Sequence, residues 1–263
     1  MVDANELVYD SPQFPPTRDW NNKKFFLRGK DYEGKLKIEK YLKGIASLEI
    51  IDTKISELNL GECTNLKELI CNQNFFITKI DFLRQLPNPE KLQILEIEDN
   101  NIEATALDFL KPFVNLEVLR LGSTENGSVL YSAPPGKELP CNKFYGSLET
   151  LKNFKKLRIL NIRDTDIDRG WEWLLDSLEV FHYKTNFRNG AKCGTIKERF
   201  DFESWNKQRQ QERQEKAKEE QEQRAKEEQK KRITFGLIGF FSGLVIGLVI
   251  MKWIVSKEKV KKS

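Results

Sequence analysis

One spacing of apolar residues recurs through the middle of this 263-residue chain and restricts its fold more than any other feature. The pattern reads L-x-x-L-x-L-x-x-N-x-L with substitutions, and it starts at Ile45, Leu66, Leu92, Leu116, Leu157 and Leu178. The starts lie 21, 26, 24, 41 and 21 residues apart, and periods of roughly 20 to 50 residues are typical of stacked repeats. Because so short a unit cannot bury its own apolar face, its neighbours must cover it, which predicts a solenoid.

The residue types indicate one short strand in each unit. Alternate apolar residues, such as Leu69 and Cys71, point into a shared interior, while the residues between them face solvent. An Asn follows the strand at Asn74 and Asn100, where its side chain can hydrogen-bond the backbone of adjacent turns. We therefore predict an α/β leucine-rich repeat solenoid of about six repeats plus caps over residues 25–204.

Both ends of such a solenoid need a cover. The stretch Phe25–Ile38 is interpreted as a degenerate first strand in which Leu36 and Ile38 alternate, and residues 191–204 are interpreted as a short amphipathic cap. The interval of 41 residues contains a Gly- and Pro-rich insertion at 125–144, which we expect to be an excursion loop. Residues 1–24 are predicted to be a flexible N-terminal segment.

One long phrase carries a family resemblance. The sequence NKFYGSLETLKNFKKLRILNIRDTDIDRG, which begins at Asn142, together with SLEVFHYKTN, resembles the terminal repeats of leucine-rich repeat proteins from expanded families of arbuscular mycorrhizal fungi. The resemblance covers about residues 25–200 and is strongest from Asn142 to Asn186. It implies a binding scaffold without catalytic residues. The chain departs from that family in its weak use of Asn and in its long insertion.

The solvent-facing strand positions predict a binding surface on the concave side. One column of these positions ends in four apolar residues, and the others change from acidic residues, Glu49 among them, to basic ones. The candidate partner-binding residues are Ile94, Glu96, Glu98, Val118, Arg120, Ile159, Asn161, Arg163, Val180, His182 and Lys184. An apolar stripe flanked by charge is typical of a protein or peptide site. The alternative is that β-branched residues simply favour strands.

The sequence lacks the usual parts of an active site. His182 is the only histidine, the cysteines have no CxxC spacing, and GxGxxG, Walker A, HExxH and GxSxG motifs do not occur. We therefore expect no enzyme, no metal site and no cofactor. Four isolated thiols suit a reducing compartment.

A charged segment at 205–232 follows the solenoid, and we call it the stalk. Between Asn206 and Arg232 its apolar residues are Ala217 and Ala225, so it has no coiled-coil seam. Five favourable i, i+4 pairs, such as Glu220 with Arg224, support a solvated single helix. A disordered charged linker is the alternative.

An apolar run follows the stalk. Ile233–Met251 is uncharged over 19 residues, and the run continues to Val255 if Lys252 reaches the interface. That length predicts a transmembrane helix at 233–255, in contact with the lipid bilayer, followed by a basic tail at 256–263. The glycines lie four apart, a spacing that favours a homodimer between such helices: Gly239, Gly243 and Gly247.

The charge distribution bears on topology. Residues 205–263 contain 15 Lys and Arg against 8 Asp and Glu, which indicates a membrane surface and no nucleic acid. We find no apolar signal segment in residues 1–20, so we expect a single-pass, tail-anchored protein with cytosolic repeats, in the endoplasmic reticulum or mitochondrial outer membrane. The alternative is a receptor with luminal or extracellular repeats, for which Asn126-Gly127-Ser128 is a glycosylation sequon.

Overall fold

The computed structural model describes residues 4, 19, 21–124, 141–185, 188, 190–193 and 201–260, with side chains in the last range described at 201–231, 250 and 251. The chain divides into two units, Met1–Phe202 and Glu203–Ser263.

Twelve short strands occur in the described part of the first unit. They are β1 (Lys24–Arg28), β2 (Glu33–Lys37), β3 (Ser47–Ile51), β4 (Lys54–Asn59), β5 (Glu68–Asn72), β6 (Ile94–Glu96), β7 (Thr105–Ala106), β8 (Val118–Arg120), β9 (Phe144–Ser147), β10 (Ile159–Asn161), β11 (Asp166–Arg169) and β12 (Val180–His182).

Seven of these strands form the main sheet, in the order β1-β3-β5-β6-β8-β10-β12. Every pairing in it is parallel, and each repeat contributes one strand. The returning segments form two smaller parallel sheets, β2-β4 and β11-β9-β7. A parallel sheet that advances by one strand per repeat is the architecture of a leucine-rich repeat solenoid, so the predicted fold class is confirmed for this part of the chain.

Short helical turns complete the repeats. The described part contains a helix α1 (Asp81–Arg84) and 3-10 turns at Lys40–Leu42, Pro89–Lys91, Leu107–Leu110, Leu148–Leu151 and Trp171–Trp173. Leucines of three of these turns, such as Leu110 and Leu151, are buried, whereas Trp173 is exposed. The core therefore lies between the main sheet and these turns.

The core repeats one pair of positions in every strand. Leu48, Leu69, Leu95, Leu119 and Leu160 are fully buried, and the strand register places them side by side. The second core position is also buried in each repeat: Ile50, Cys71, Ile97, Leu121, Ile162 and Tyr183. Alternation in the sequence therefore predicted the interior of the main sheet correctly.

A ladder of buried asparagines follows the strands. Asn74 donates to the carbonyls of Ile50 and Asn72, and its own Oδ1 accepts from the backbone and hydroxyl of Thr53. Asn100 donates to the carbonyls of Cys71 and Ile97, while its Oδ1 accepts from the Asn74 N–H at 2.7 Å. These amides satisfy backbone groups that the short strands leave unpaired.

The third asparagine of this ladder is Asn142, although the repeat that starts at Leu116 has Thr124 at the asparagine position of the linear pattern. Asn142 is 1% exposed, and its Nδ2 donates to the carbonyls of Ile97 (2.6 Å) and Leu121 (2.8 Å). The fourth repeat therefore begins before residue 125 and obtains its asparagine from Asn142, near the end of the stretch 125–144. Thr124 instead bonds the Asp99 carboxylate through both its N–H and its hydroxyl.

The predicted first strand is also corrected. β1 at Lys24–Arg28, with Phe25 and Leu27 buried, joins the main sheet, whereas Leu36 belongs to β2 in a smaller sheet. The sequence contains two successive segments in which apolar residues alternate with polar ones. The prediction assigned the first strand to the second of these segments. At the other end, Phe202 packs edge-on against Phe181 at 5.5 Å, while half of the predicted cap, 194–200, lies outside the described residues.

One helix, α2, begins at Phe202 and ends at Val260, and all of it except its first residue belongs to the second unit. The stalk residues 205–232 lie within this helix, where Glu220 and Arg224 form one of the expected pairs at 3.9 Å. Among the residues that the structure describes, no helix is long and apolar enough to cross a bilayer. Within 233–255 the surroundings of the side chains are described at residues 250 and 251. The predicted helix-helix contact through Gly239, Gly243 and Gly247 therefore lies outside the described residues.

Candidate functional site

The candidate site is the solvent-facing side of the main sheet, which we call the main-sheet surface. Its apolar column consists of Ile94, Val118, Ile159 and Val180, which are paired in register across β6, β8, β10 and β12. Each of these side chains is partly exposed, while the next residue in its strand is buried. The four predicted apolar residues therefore do form one continuous row.

The charged residues next to this column are paired along the sheet. Glu96 on β6 forms an ion pair with Arg120 on β8 at 3.1 Å and accepts a long hydrogen bond from Asn72 at 3.4 Å. Nearer the β1 end of the sheet, Glu49 contacts both Lys24 and Arg28. The surface was predicted to change from acidic to basic residues along the sheet. Ion pairs between adjacent strands partly neutralise the charges of these side chains.

The last two strands carry the basic end of the surface. An Nη2 of Arg163 lies 3.1 Å from Nδ1 of His182. Because a guanidinium can only donate, Nδ1 of His182 must accept, which assigns the imidazole proton to Nε2 in this contact. Lys184 is exposed. This end offers cationic donors beside the apolar column.

Two predicted surface residues are in fact buried. Glu98 is 4% exposed and Asn161 is fully buried, and the Asn161 amide donates to the Glu98 carboxylate. The prediction extended strand alternation beyond Glu96, where β6 ends, so Glu98 no longer follows it. Asn161 lies inside β10, but its amide is occupied by Glu98, by the Ser123 carbonyl and by the Arg163 N–H. The prediction of solvent exposure was wrong for this pair.

Burial changes the acidity of Glu98. Desolvation raises the pKa of Glu98 to about 7, while the Asn161 hydrogen bond and the nearby Arg120 oppose that rise. Burial likewise raises the pKa of Asp99, which Thr124 partly offsets by hydrogen bonding. A titrating carboxylate therefore lies directly beneath the main-sheet surface.

One surface residue was missed by the sequence reading. Phe26 on β1 is 55% exposed and pairs in register with Glu49. Phe26 was not predicted because the first strand was assigned to the later segment, although the flanking Phe25 and Leu27 alternate as a strand requires. The insertion residues 125–140, with the Asn126 sequon, lie outside the described residues.

The thiols of the first unit are packed in its interior. Cys63, Cys71, Cys141 and Cys193 are all buried and are not joined in disulfides, and within the described residues no group of three His, Cys, Asp or Glu side chains could hold a metal ion. Burial raises the pKa of Cys63 and of Cys71 to about 12 and that of Cys193 to about 11.

We therefore predict very slow reaction of these thiols in the native protein. At pH 8 a raised pKa leaves little thiolate, and burial blocks access of the reagent. Ellman's reagent added to the full chain should detect four thiols rapidly in 6 M guanidinium and fewer than one in the same time without it. Rapid reaction of one native thiol would show that its repeat opens.

Together these features define a leucine-rich repeat solenoid whose main sheet presents an apolar row beside paired charges. No protein-family model matches the chain, and no curated protein does. Among solved structures it is similar to an internalin from Listeria monocytogenes, with 16% identity and a TM-score of 0.21 over 56% of this chain. The match spans 63% of the internalin's length. At that TM-score the assignment rests on the strand order and register alone.

Proposed function

We propose that the protein is a membrane-anchored repeat scaffold that binds a protein or peptide on the main-sheet surface and holds it near an intracellular bilayer. The apolar column in register across four strands is the observation that carries the binding half of this proposal. The uncharged run at 233–251 supports the membrane half.

The column suits a partner that presents a row of apolar side chains. With strands about 4.8 Å apart, its four residues span roughly 14 Å. Ile94, Val118, Ile159 and Val180 are partly exposed, so contact with apolar groups removes further apolar surface from water. Arg163 and Lys184 lie at one end of this surface, where they favour a partner with acidic groups there.

The anchor is supported by length and by flanking charge. Nineteen uncharged residues in helical conformation extend about 28 Å, close to the thickness of a hydrocarbon core. Lys230, Lys231 and Arg232 precede the run and suit a cytosolic headgroup surface. Small-residue spacing at Gly239, Gly243 and Gly247 supports a homodimer through the anchor.

Removal of the anchor tests the membrane half. The full chain expressed in cells should remain in the membrane pellet after alkaline carbonate extraction, and a variant lacking 233–255 should move to the supernatant. A matched control replaces 233–251 by leucines and should stay in the pellet, because it keeps the length and apolar character. Extraction of the full chain by carbonate would contradict the anchor.

The apolar column is tested by Val118→Asp combined with Ile159→Asp in the full chain. A biotin ligase fused to the N-terminus reports partners by proximity labelling, and we expect the strongest labelled protein to fall at least tenfold, because buried carboxylates are costly at an interface. The control is Lys155→Asp with Lys156→Asp, two exposed loop residues. Equal labelling by both variants would reject the main-sheet surface as the site.

The same cells separate the proposal from a receptor with luminal repeats. The sequon at Asn126 is glycosylated only in the secretory pathway. No mass change on glycosidase treatment agrees with cytosolic repeats, and a decrease in mass would favour the receptor.

A further inference from the structure

Glu98 joins two strands of the main sheet that are not neighbours. It follows β6, and its carboxylate accepts from the amide of Asn161 on β10, with β8 lying between the two strands. The same Asn161 amide donates to the carbonyl of Ser123 at 2.9 Å, in the segment that follows β8. One buried carboxylate and one amide therefore hold three strand ends together.

The groups around Glu98 do not neutralise a negative charge well. Its hydrogen-bond donor is a neutral amide, and Arg120 on β8 is engaged by Glu96 at 3.1 Å. Asp99, the next residue, is also a buried carboxylic acid at 6% exposure. From β5, Asn72 accepts the Glu98 N–H at 2.7 Å. Like charges and burial both disfavour the ionised form.

The groups beyond Asn161 complete the electrostatic surroundings. Arg163 and the buried Asp164 follow β10, and Arg163 contacts His182 on β12. Asp164 raises the pKa of Asp99, as expected for a second carboxylate in the same region. Arg120 on β8 is the cation that opposes the rise in the pKa of Glu98, and Arg188 donates its backbone N–H to the Asp164 carboxylate at 3.2 Å.

We propose that Glu98 is a proton switch that holds the ends of β6, β8 and β10 together when it is protonated and loosens them when it is ionised. The protonated acid keeps the hydrogen bond from Asn161 through its carbonyl oxygen. The ionised form places a second negative charge beside Asp99 and draws water into the contact. The effect of Glu98 ionisation does not require a binding partner, so it can be tested independently of the proposed scaffold function.

The sign of the effect follows from linkage. The pKa of Glu98 is raised by burial from 4.5 to about 7, so the folded contact binds a proton that the opened one releases. The contact is most stable below pH 4.5, weakens as the pH rises toward 7, and changes little above 8.

Hydrogen exchange of backbone amides at the strand ends measures this directly. The N–H of Ser123 donates to the Arg163 carbonyl, and that of Thr124 donates to Asp99. In the full chain in detergent micelles, mass spectrometry should find their protection, corrected for intrinsic rates, to fall roughly 40-fold from pH 5 to pH 7. Protection that is constant across this range would overturn the proposal.

Three variants identify the titrating group. Glu98→Gln keeps an acceptor but cannot ionise, so its protection should not depend on pH. Asp99→Asn and His182→Gln should both keep the fall, the second because histidine also titrates near neutrality. A fall that survives in Glu98→Gln overturns the assignment. If Glu98→Gln does not fold, Asp99→Asn and His182→Gln decide together: persistence of the fall in both supports Glu98, and its loss in either refutes it.

Discussion

Replacing Asn142 by Ala is expected to lower the free energy of unfolding of the solenoid by about 3–5 kcal/mol. The side chain donates to the carbonyls of Ile97 and Leu121 and accepts from the N–H of Ile102 at 3.1 Å, all in the interior. Alanine leaves the Leu121 carbonyl and the Ile102 N–H without that partner, whereas the Ile97 carbonyl keeps the hydrogen bond from Asn100. Each unsatisfied group costs about 1–3 kcal/mol. Guanidinium unfolding of the full chain in micelles, followed by tryptophan fluorescence, measures the loss.

The matched control is Asn153→Ala, because Asn153 is exposed and its substitution should change stability by less than about 0.5 kcal/mol. Thr124→Ala tests the assignment from the other side. Thr124 occupies the asparagine position in the linear pattern, but in the structure it bonds the Asp99 carboxylate. If Thr124→Ala destabilised the protein more than Asn142→Ala, the ladder would continue through the residue that the pattern named.

The sequence predicted the parts of the fold that follow from local alternation. Leu48, Leu69 and Leu95 alternate with solvent-facing residues, and a period of 2 places them on one side whatever the neighbouring repeats contain. Stacking by repeats then brings equivalent positions into register, which is why the column at Val118 and Ile159 could be listed in advance. Residue spacing is therefore enough to predict which strand positions are buried and which are exposed, wherever the strands remain regular.

The same rule failed where the regular strand ended. Glu98 lies two residues beyond the end of β6, where alternation no longer determines which way a side chain points. The burial of Glu98 depends on Asn161, which is 63 residues away in sequence. The pattern also could not decide which residue replaces Thr124 in the ladder, because the position of Asn142 depends on how the chain returns after residue 124. Contacts of this kind are properties of the packed repeats.

Gly122 is the second position at which we expect a substitution to lower the free energy of unfolding, here by adding a single Cβ atom. It is buried just after β8, and a Cβ built on it would meet the backbone N and O of Arg163 and the carbonyl carbon of Ile162, at 2.7 Å from the last of these. Backbone cannot rotate away as a side chain can, so β8 and β10 must separate. We expect Gly122→Ala to lower the free energy of unfolding by about 2–3 kcal/mol, measured by the same guanidinium titration.

Gly61→Ala is the control for that experiment, because a Cβ there would meet the side-chain oxygen of Asn59 at 3.3 Å and the residue is exposed. Replacing glycine by alanine lowers the conformational entropy of the unfolded chain. The stability of this variant should therefore be unchanged or higher by up to about 1 kcal/mol. Gly122 also closely follows β8, the strand that the Glu98 to Asn161 contact crosses. Separation of β8 from β10 should therefore speed exchange of the Ser123 amide at pH 5, where Glu98 is protonated in the parent chain. A Gly122→Ala protein with unchanged stability and unchanged Ser123 exchange would mean that β8 and β10 do not approach as closely as their backbones indicate.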